Sequence, residues 1–356
     1  MIKHVIGDVH LDKRLYEQVP LWRGKVSGHI QAAFEASLSV PCDVRLFAGD
    51  FFNHYSVSEG MIKYAIHMLS RKPGVRNIIL GGNHDSTKVY SRQCALDILD
   101  ELPNVDVINQ FSPNRIKLED GTTVVGIPHM KSQDAFDEAC MDVPASDIVL
   151  LHCTYGDRPP YIQSTNDLYM STELGDALAE KHGNIFFGHV HKHRVILPNL
   201  IQLGSLIPQG PRELGWHGTQ LLENGTRVPY ELAHTAKWER TIYEYESVTE
   251  FLKMLGGLKA AVNFVYVKRI EKPQIKAAKI AYDAFIEDSE NIILCYFDKE
   301  DEDSIADIQY YDMSFNVRTE LNLFAEETKM TSEQYQRLDG YLNDALTAED
   351  LEEDDD

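Results

Sequence analysis

Short apolar runs alternate with helical apolar patterns over the N-terminal part of the chain. Residues 2–8, Asp43–Ala48 and Val75–Leu80 are compact apolar runs that each stop at a glycine, which predicts three strands. Helical spacing of apolar residues follows these strands at Ile30, Ala33, Phe34 and Leu38, at Met61, Ile62, Ala65, Ile66 and Leu69, and over about Val89 to Leu102. The β-α-β-α-β rhythm predicts a largely parallel sheet covered by helices.

The pattern changes after Pro103, where short apolar runs follow one another closely. Strands are predicted at Val105–Ile108, Arg115–Leu118, Thr122–Ile127, Asp147–Leu151 and Asn184–Phe187, with a hairpin formed by Val195–Leu197 and Leu200–Leu203. These strands predict a second sheet. We therefore expect an α/β fold in which two sheets pack face to face within residues 1–237.

Beyond Trp238 the chain is expected to form smaller units. Residues 241–312 read as strand, helix, strand, helix and strand, so an αβ cap domain is predicted over 238–312. Thr331 to Gln334 has the pattern of a helix capping box, and an apolar stripe follows it at Tyr335, Leu338, Leu342, Ala345 and Leu346. The sequence thus predicts a C-terminal helical segment over 313–347 and a disordered acidic tail over 348–356.

The composition excludes several classes of protein. The apolar runs are too short for a membrane-spanning helix, and the N-terminus turns polar at Gly7-Asp8, unlike a signal peptide. The five cysteines are scattered and contain no C-x-x-C pair, which predicts a reduced cytoplasmic chain without a zinc-thiolate site.

The net charge of −22 argues against a polyanionic substrate if the charge is spread evenly, but its distribution is uneven. Residues 349–356 carry seven acids, and residues 298–312 carry a net charge of −6, which leaves −9 for the remainder. Two bound divalent ions would add positive charge at a site. Nucleic acid therefore stays open as a substrate.

Polar side chains gather where the predicted strands end. The first strand ends at Asp8 and His10, the second at Asp50, and the third at Gly81-Gly82-Asn83-His84-Asp85. Later strands end at His152 and at Gly188-His189-Val190-His191. In parallel sheets ligands bind at the carboxyl ends of strands, so these side chains are expected to meet. His129 and His193 are further candidates for the rim of this site.

The set of donor atoms points to divalent transition metals. Each motif alone is ordinary, since a lone Asp-x-His is usually a turn and a lone histidine is usually a core residue. Together, imidazole, carboxylate and amide ligands suit manganese, iron or zinc rather than calcium. Two ions bridged by a carboxylate would polarise a phosphoryl group and acidify a water molecule.

These motifs resemble the signature of the calcineurin-like metallophosphoesterases over roughly residues 1–205. The resemblance implies a four-layer αββα sandwich and a binuclear centre. One ion would be held by Asp8, His10, Asp50 and His191, and the other by Asp50, Asn83, His152 and His189. His84 would face the phosphate as a proton donor or charge stabiliser, and Asp85 would orient His84.

Within the family, the chain resembles the SbcD-like DNA repair nucleases, of which tailed phages encode compact relatives. Protein serine/threonine phosphatases carry Gly-Asp-x-x-Asp-Arg-Gly at the second motif, whereas this chain has Gly49-Asp50-Phe51-Phe52-Asn53-His54. Asn53 and His54 occupy the expected substrate side of that motif. Asn53 stands where the nucleases often have histidine, and Asp12 stands where they usually have glycine.

The resemblance implies a manganese-dependent DNA exonuclease or endonuclease subunit of a recombination and repair complex. Its partner would be an SbcC-like coiled-coil ATPase, docked on the 335–346 stripe, in a heterotetramer built on a nuclease homodimer; the stripe packing on its own cap domain is equally compatible. The cytoplasm, or the host cytoplasm for a phage protein, is the expected location. Two alternatives stay open: a small-molecule phosphodiesterase or phosphatase, and a non-catalytic scaffold.

Overall fold

The structure is a computed structural model that describes residues 1–14, 25–87, 94–109, 111–156, 167–211, 213–232, 237–286, 289 and 291–297. Its strands are β1 Ile2–Ile6, β2 Val44–Phe47, β3 Arg76–Leu80, β4 Val105–Ile108, β5 Asn114–Lys117, β6 Thr123–Ile127, β7 Ile148–His152, β8 Thr154–Tyr155, β9 Tyr169–Met170, β10 Asn184–Gly188, β11 Arg194–Leu197, β12 Leu200–Gln202, β13 Thr219–Glu223, β14 Thr226–Tyr230, β15 Trp238–Glu244, β16 Val262–Lys268 and β17 Ile292–Phe297. Its helices are α1 Lys25–Ser39, α2 Glu59–Ser70, α3 Ala95–Leu99, α4 Gln133–Asp142, α5 Thr172–Lys181, α6 Val248–Gly257 and α7 Lys272–Ile286. The predicted helical segment 313–347 and tail 348–356 lie outside the described residues.

Two six-stranded sheets form the main body of the fold. The first has the order β14-β13-β1-β2-β3-β4, and the second has the order β11-β12-β10-β7-β6-β5. Strands β1 to β4 pair in parallel, as do β6, β7, β10 and β12, so the carboxyl ends of the central strands in each sheet point the same way. The predicted pair of sheets is confirmed.

Three buried clusters define the layers. Residues such as Val5, Leu46 and Ile78 from the first sheet join Leu150 and Phe186 from the second in one cluster between the sheets. A second cluster joins the outer side of the first sheet to α1, α2 and α3, and a third joins the second sheet to α4 and α5. Burying each such large apolar side chain stabilises the fold by about 1.5–3 kcal/mol. The fold is thus a four-layer αββα sandwich.

Strands β15, β16 and β17 form a separate parallel sheet with α6 and α7. This is the αβ module predicted after Trp238. Trp238, Phe251 and Phe264 belong to the same continuous buried cluster as residues of α1 and α2. Residues 1–299 form one compact unit. The division at residue 238 stays a prediction.

Several elements differ from their prediction. The helix expected over 89–102 is described only as α3 Ala95–Leu99, and residues 88–93 lie outside the described part. Helices α4 and α5 were not predicted, because their buried stripes are narrow: α4 buries only Phe136 and Cys140. Strands β8, β9 and β13 were not predicted either. Strand β14 was missed because it is largely exposed and contains Pro229. No helix in the described ranges is long and apolar enough to cross a bilayer.

Candidate metal centre

The strand-end side chains meet on one rim of the sandwich, as the sequence predicted. Asp8 follows β1, Asp50 follows β2 and Asn83 follows β3, while β7 ends in His152 and β10 leads into His189 and His191. The two sheets are tied at this rim by a bridge between Asp8 and Ser205. The donor atoms therefore come from both sheets and converge between them.

Three of the predicted ligands have unusual backbone geometry. His10, Asp50 and His189 have φ angles of 50°, 47° and 95°, in the left-handed region where a non-glycine residue costs about 1–3 kcal/mol. Backbone hydrogen bonds hold two of these turns in place: His10 N donates to Asp50 O at 2.9 Å, and His189 N donates to Asp8 Oδ2 at 3.0 Å. The fold tolerates this strain at positions that aim side chains inward.

Asp8, His10 and His191 form the first donor cluster. The Nε2 atoms of His10 and His191 are 3.0 Å apart, and His191 Nε2 is 3.6 Å from Asp8 Oδ2. Two imidazole nitrogens this close repel each other unless a proton or a cation lies between them. Asp8 and His10 are fully buried, so bulk water cannot relieve that repulsion.

Asp50, Asn83, His152 and His189 form the second cluster. Asn83 Oδ1 lies 3.0 Å from both His152 Nε2 and His189 Nδ1. Asp50 Oδ2 lies 3.2 Å from His152 Nε2 and 3.7 Å from His10 Nε2. Asp50 is thus within reach of both clusters, which is the position required of a bridging carboxylate.

The donor atoms suit divalent ions. His152 Nδ1 lies 2.9 Å from the carbonyl of Ala48 and donates to it, so Nε2 is the nitrogen that faces the cluster. Burial opposes ionisation, but the charge and hydrogen bond of Asp50 outweigh it and raise the pKa of His152 to about 9. Conversely, His152, His10 and His84 overcome burial and hold the pKa of Asp50 well below its usual value. The cluster therefore calls for positive charge, which a divalent ion supplies.

His84 lies at the open side of this centre. Its side chain is exposed, and its ring centroid lies 5.0 Å from that of His10. Its Nδ1 lies 2.8 Å from the Asn53 carbonyl, so the ring donates there and is held in one orientation. Asn53 in turn donates its backbone N–H to Asp12 at 2.7 Å. His54 is exposed, and its Nδ1 lies 3.1 Å from the carbonyl of Ser56.

Asp85 binds backbone groups of the neighbouring loops, and its predicted role in orienting His84 stays a prediction. The Asp85 carboxylate is buried and accepts three backbone N–H groups, from Phe51 at 3.0 Å, Phe52 at 2.8 Å and Gly82 at 3.0 Å. Burial and the charge of Asp50 raise the pKa of Asp85 to about 7, against these donors, which lower it. Asp85 therefore fastens the loop after Asp50 to the Asn83 turn, and the Asn53 carbonyl orients His84.

Two acids at the centre were not assigned by the sequence, whereas His129 was predicted as a candidate for its rim. Glu213 Oε1 lies 3.0 Å from His191 Nδ1, and Asp167 Oδ1 lies 3.3 Å from His189 Nε2. No local motif marks either acid. His129 follows β6 at the same rim, is nearly buried, and has its pKa lowered to about 4 by burial and then by the charge of His152. His193 lies against Trp216 instead, with ring centroids 4.5 Å apart.

The chain matches the calcineurin-like phosphoesterase family over residues 4–193. It belongs to that family. The match begins in β1 and ends just beyond His191, so it contains every predicted ligand. A search of curated proteins finds no match. Among solved structures, 64 chains match. One is described as a hypothetical protein from Thermus thermophilus, with 14% identity and a TM-score of 0.33, covering 65% of this chain and 98% of that one.

Membership of the calcineurin-like phosphoesterase family makes the protein a metal-dependent phosphoesterase, and therefore a hydrolase. Within the described part of the chain, three groups of side chains agree with this activity, since the donor atoms inside each group lie within 4.8 Å of one another. They are Asp8, His10 and His191; His10, Asp50 and His84; and Asp50, His152 and His189.

Proposed function

We propose that the protein is a manganese-dependent nuclease that hydrolyses phosphodiester bonds in DNA. The observation that carries the phosphodiesterase chemistry is the exposed His84 ring beside two buried donor clusters that share Asp50. Asp8, His10, Asp50 and His191 would hold one ion, and Asp50, Asn83, His152 and His189 the other. Two divalent ions, when bound, polarise a phosphoryl group and make a water molecule acidic enough to act as the nucleophile near neutral pH.

The chain's own contribution to the reaction is position and charge. In its protonated form, His84 donates Nδ1–H to the Asn53 carbonyl, which leaves Nε2–H available for a phosphate oxygen. Hydrolysis forms one P–O bond to water and breaks the P–O bond to the 3′ or 5′ oxygen, which leaves as a hydroxyl after gaining a proton. His84 Nε2 is the candidate donor of that proton or of a hydrogen bond to the developing charge.

DNA is favoured over a small ester by the order of the parts. The Asp-x-His-Leu motif, the Gly49-Asp50-Phe51-Phe52 motif and the αβ module after the last motif together resemble the SbcD-like nucleases. By the same resemblance, the partner would be an SbcC-like coiled-coil ATPase that meets a nuclease homodimer in the cytoplasm, with residues 335–346 as its dock. Asn53 and His54 remain candidates for contact with the DNA strand.

The test is cleavage of duplex and single-stranded DNA with Mn²⁺, by the protein alone and with a purified coiled-coil ATPase partner. We expect Mn²⁺-dependent cleavage that is lost in Asp50→Ala and strongly reduced in His84→Ala. Absence of cleavage by the wild type under both conditions, or full cleavage by either variant, would contradict the proposal. Turnover of a cyclic nucleotide or nucleotide ester far faster than DNA would favour the small-molecule phosphodiesterase.

A further inference from the structure

Glu213 reaches the outer nitrogen of a predicted metal ligand. His191 Nε2 faces Asp8 and His10, whereas its Nδ1 lies 3.0 Å from Glu213 Oε1. Glu213 is twenty residues beyond the end of the family match and is separated from His191 by β11 and β12. Its contact with His191 is therefore made by the fold and not by a local motif.

The loop that carries Glu213 is built to hold this carboxylate in place. The second oxygen, Oε2, accepts the Gln209 N–H at 2.7 Å, and the Glu213 backbone N–H donates to Gly210 O at 3.2 Å. The Glu213 side chain is only 19% exposed. The start of the loop also forms a hydrogen bond with His191, since Ser205 N donates to His191 O at 3.0 Å. The backbone carbonyl and the side chain of His191 therefore both bind to the same loop.

The other histidine of the Gly-His-x-His motif also has an acid within ion-pair distance of its outer nitrogen. His189 Nδ1 faces Asn83 Oδ1 at 3.0 Å, and its Nε2 lies 3.3 Å from Asp167 Oδ1. Asp167 is more exposed than Glu213, at 35% against 19%, and its contact is longer. The two acids come from different loops and touch histidines of different donor clusters.

We propose that Glu213 and Asp167 are positioning residues that separately set the affinity of the two metal sites, Glu213 for the ion held by His191 and Asp167 for the ion held by His189. A carboxylate that accepts the outer N–H of a ligand histidine fixes the tautomer and the ring orientation and makes the inner nitrogen a stronger donor. Loss of such a partner typically lowers metal affinity about 10- to 100-fold.

This inference rests on the metal centre and not on the choice of DNA as substrate. A failure to cleave DNA would therefore leave it standing, because the measurement is metal affinity. The structure also predicts a ranking. Glu213 has the shorter and better shielded contact, so its loss should cost more affinity than the loss of Asp167.

The experiment is isothermal titration calorimetry, in which Mn²⁺ is added to the chelator-treated full chain and the affinity for each ion is measured. Glu213→Gln and Asp167→Asn keep the side-chain size and remove the charge. The matched controls, Glu223→Gln and Asp176→Asn, remove the same charges at exposed sites on β13 and α5. We expect each test variant to weaken one ion by about 10- to 100-fold and to leave the other within about twofold. The controls should match the wild type.

Backgrounds that lack one site assign each effect to its ion. Asp50 is within reach of both clusters, so single variants can show coupling between the ions. In His10→Ala, which removes a ligand of the first ion, Glu213→Gln should change nothing, while Asp167→Asn should weaken the ion that remains. In Asn83→Ala the pattern should reverse.

Three results would overturn the inference. One is a pair of test variants whose affinities match the controls. Another is a loss at the same ion for both variants, or a loss that persists in the background where the assigned site is already disabled. The third is a wild type that binds no Mn²⁺, which would also remove the metal centre itself. A far-ultraviolet circular dichroism spectrum that matches the wild type ensures that a loss of affinity is not a loss of fold.

Discussion

Replacing Asp85 should strongly lower the free energy of unfolding, because its one carboxylate accepts three backbone hydrogen bonds. Asp85 is buried and receives the N–H groups of Phe51, Phe52 and Gly82 at 2.8–3.0 Å. In Asp85→Asn one oxygen still accepts two of these groups, but the new amide N–H₂ faces the third donor or turns away from it. A buried donor left without an acceptor costs about 1–3 kcal/mol, and the remaining bonds lose their charge assistance. We expect a loss of about 2–4 kcal/mol.

The assay is urea unfolding of chelator-treated protein at pH 8, where Asp85 is ionised and bound metal contributes nothing to stability. Asp147→Asn is the control, because Asp147 also accepts two hydrogen bonds, from Thr123, but is exposed. Solvent can replace those bonds, so the control should lose no more than about 1 kcal/mol.

Metal binding provides a second readout of the same variant. Asp85 connects the loop after Asp50 with the turn that carries Asn83, so the second donor cluster should loosen in Asp85→Asn. We expect weaker binding of Mn²⁺ together with the lower urea midpoint. A midpoint and an affinity equal to those of the wild type would refute the view that Asp85 fastens these two loops.

Three further predictions concern other parts of the chain. His84→Ala should retain two ions per chain and lose about 100- to 10,000-fold in turnover of a model diester, measured beside metal content; wild-type turnover would refute its role. Gly188→Ala should lower metal content, because an added Cβ would lie 2.2 Å from Asp8 Oδ1 and displace that ligand. His4 is buried, and burial, followed by the charge of Arg45, lowers its pKa to about 3. Between pH 6.5, its value in the unfolded chain, and about pH 3, only the unfolded chain takes up this proton. The free energy of unfolding should therefore fall as the pH is lowered, by about 2 kcal/mol at pH 5. Thermal unfolding should show this loss in the wild type and a smaller loss in His4→Gln.

The elements predicted best are those that a local run of apolar residues is enough to define. Strands β1, β2 and β3 were found because fully buried parallel strands are continuous apolar runs bounded by turns. Helices α4 and α5 were missed because each packs only a narrow buried stripe against the second sheet, and most of their other residues are polar. Strand β14 was missed because its place in the sheet depends on pairing with β13 and not on its own apolar content.

The side chains that meet at this rim could be predicted from the chain alone because each of them sits directly after a strand or at its end, and parallel strands bring such ends to one rim. The partners of those ligands could not be identified in this way. Asp85 stands next to His84 in sequence yet bonds to Phe51 and Phe52, because the three N–H groups of two loops converge on its carboxylate.

Glu213 and the Asn53 carbonyl are further partners of site histidines that only the tertiary structure identifies. Glu213 lies in no motif, and the motif that contains Asn53 does not indicate that its backbone carbonyl is used. Each acts on a histidine that is distant in sequence, Glu213 on His191 and Asn53 on His84. Motif spacing specifies which residues can bind metal, since it follows from the strand ends. Hydrogen bonds around the ligands depend on how the loops pack across the rim, which involves contacts between distant residues and arises only when both sheets are assembled.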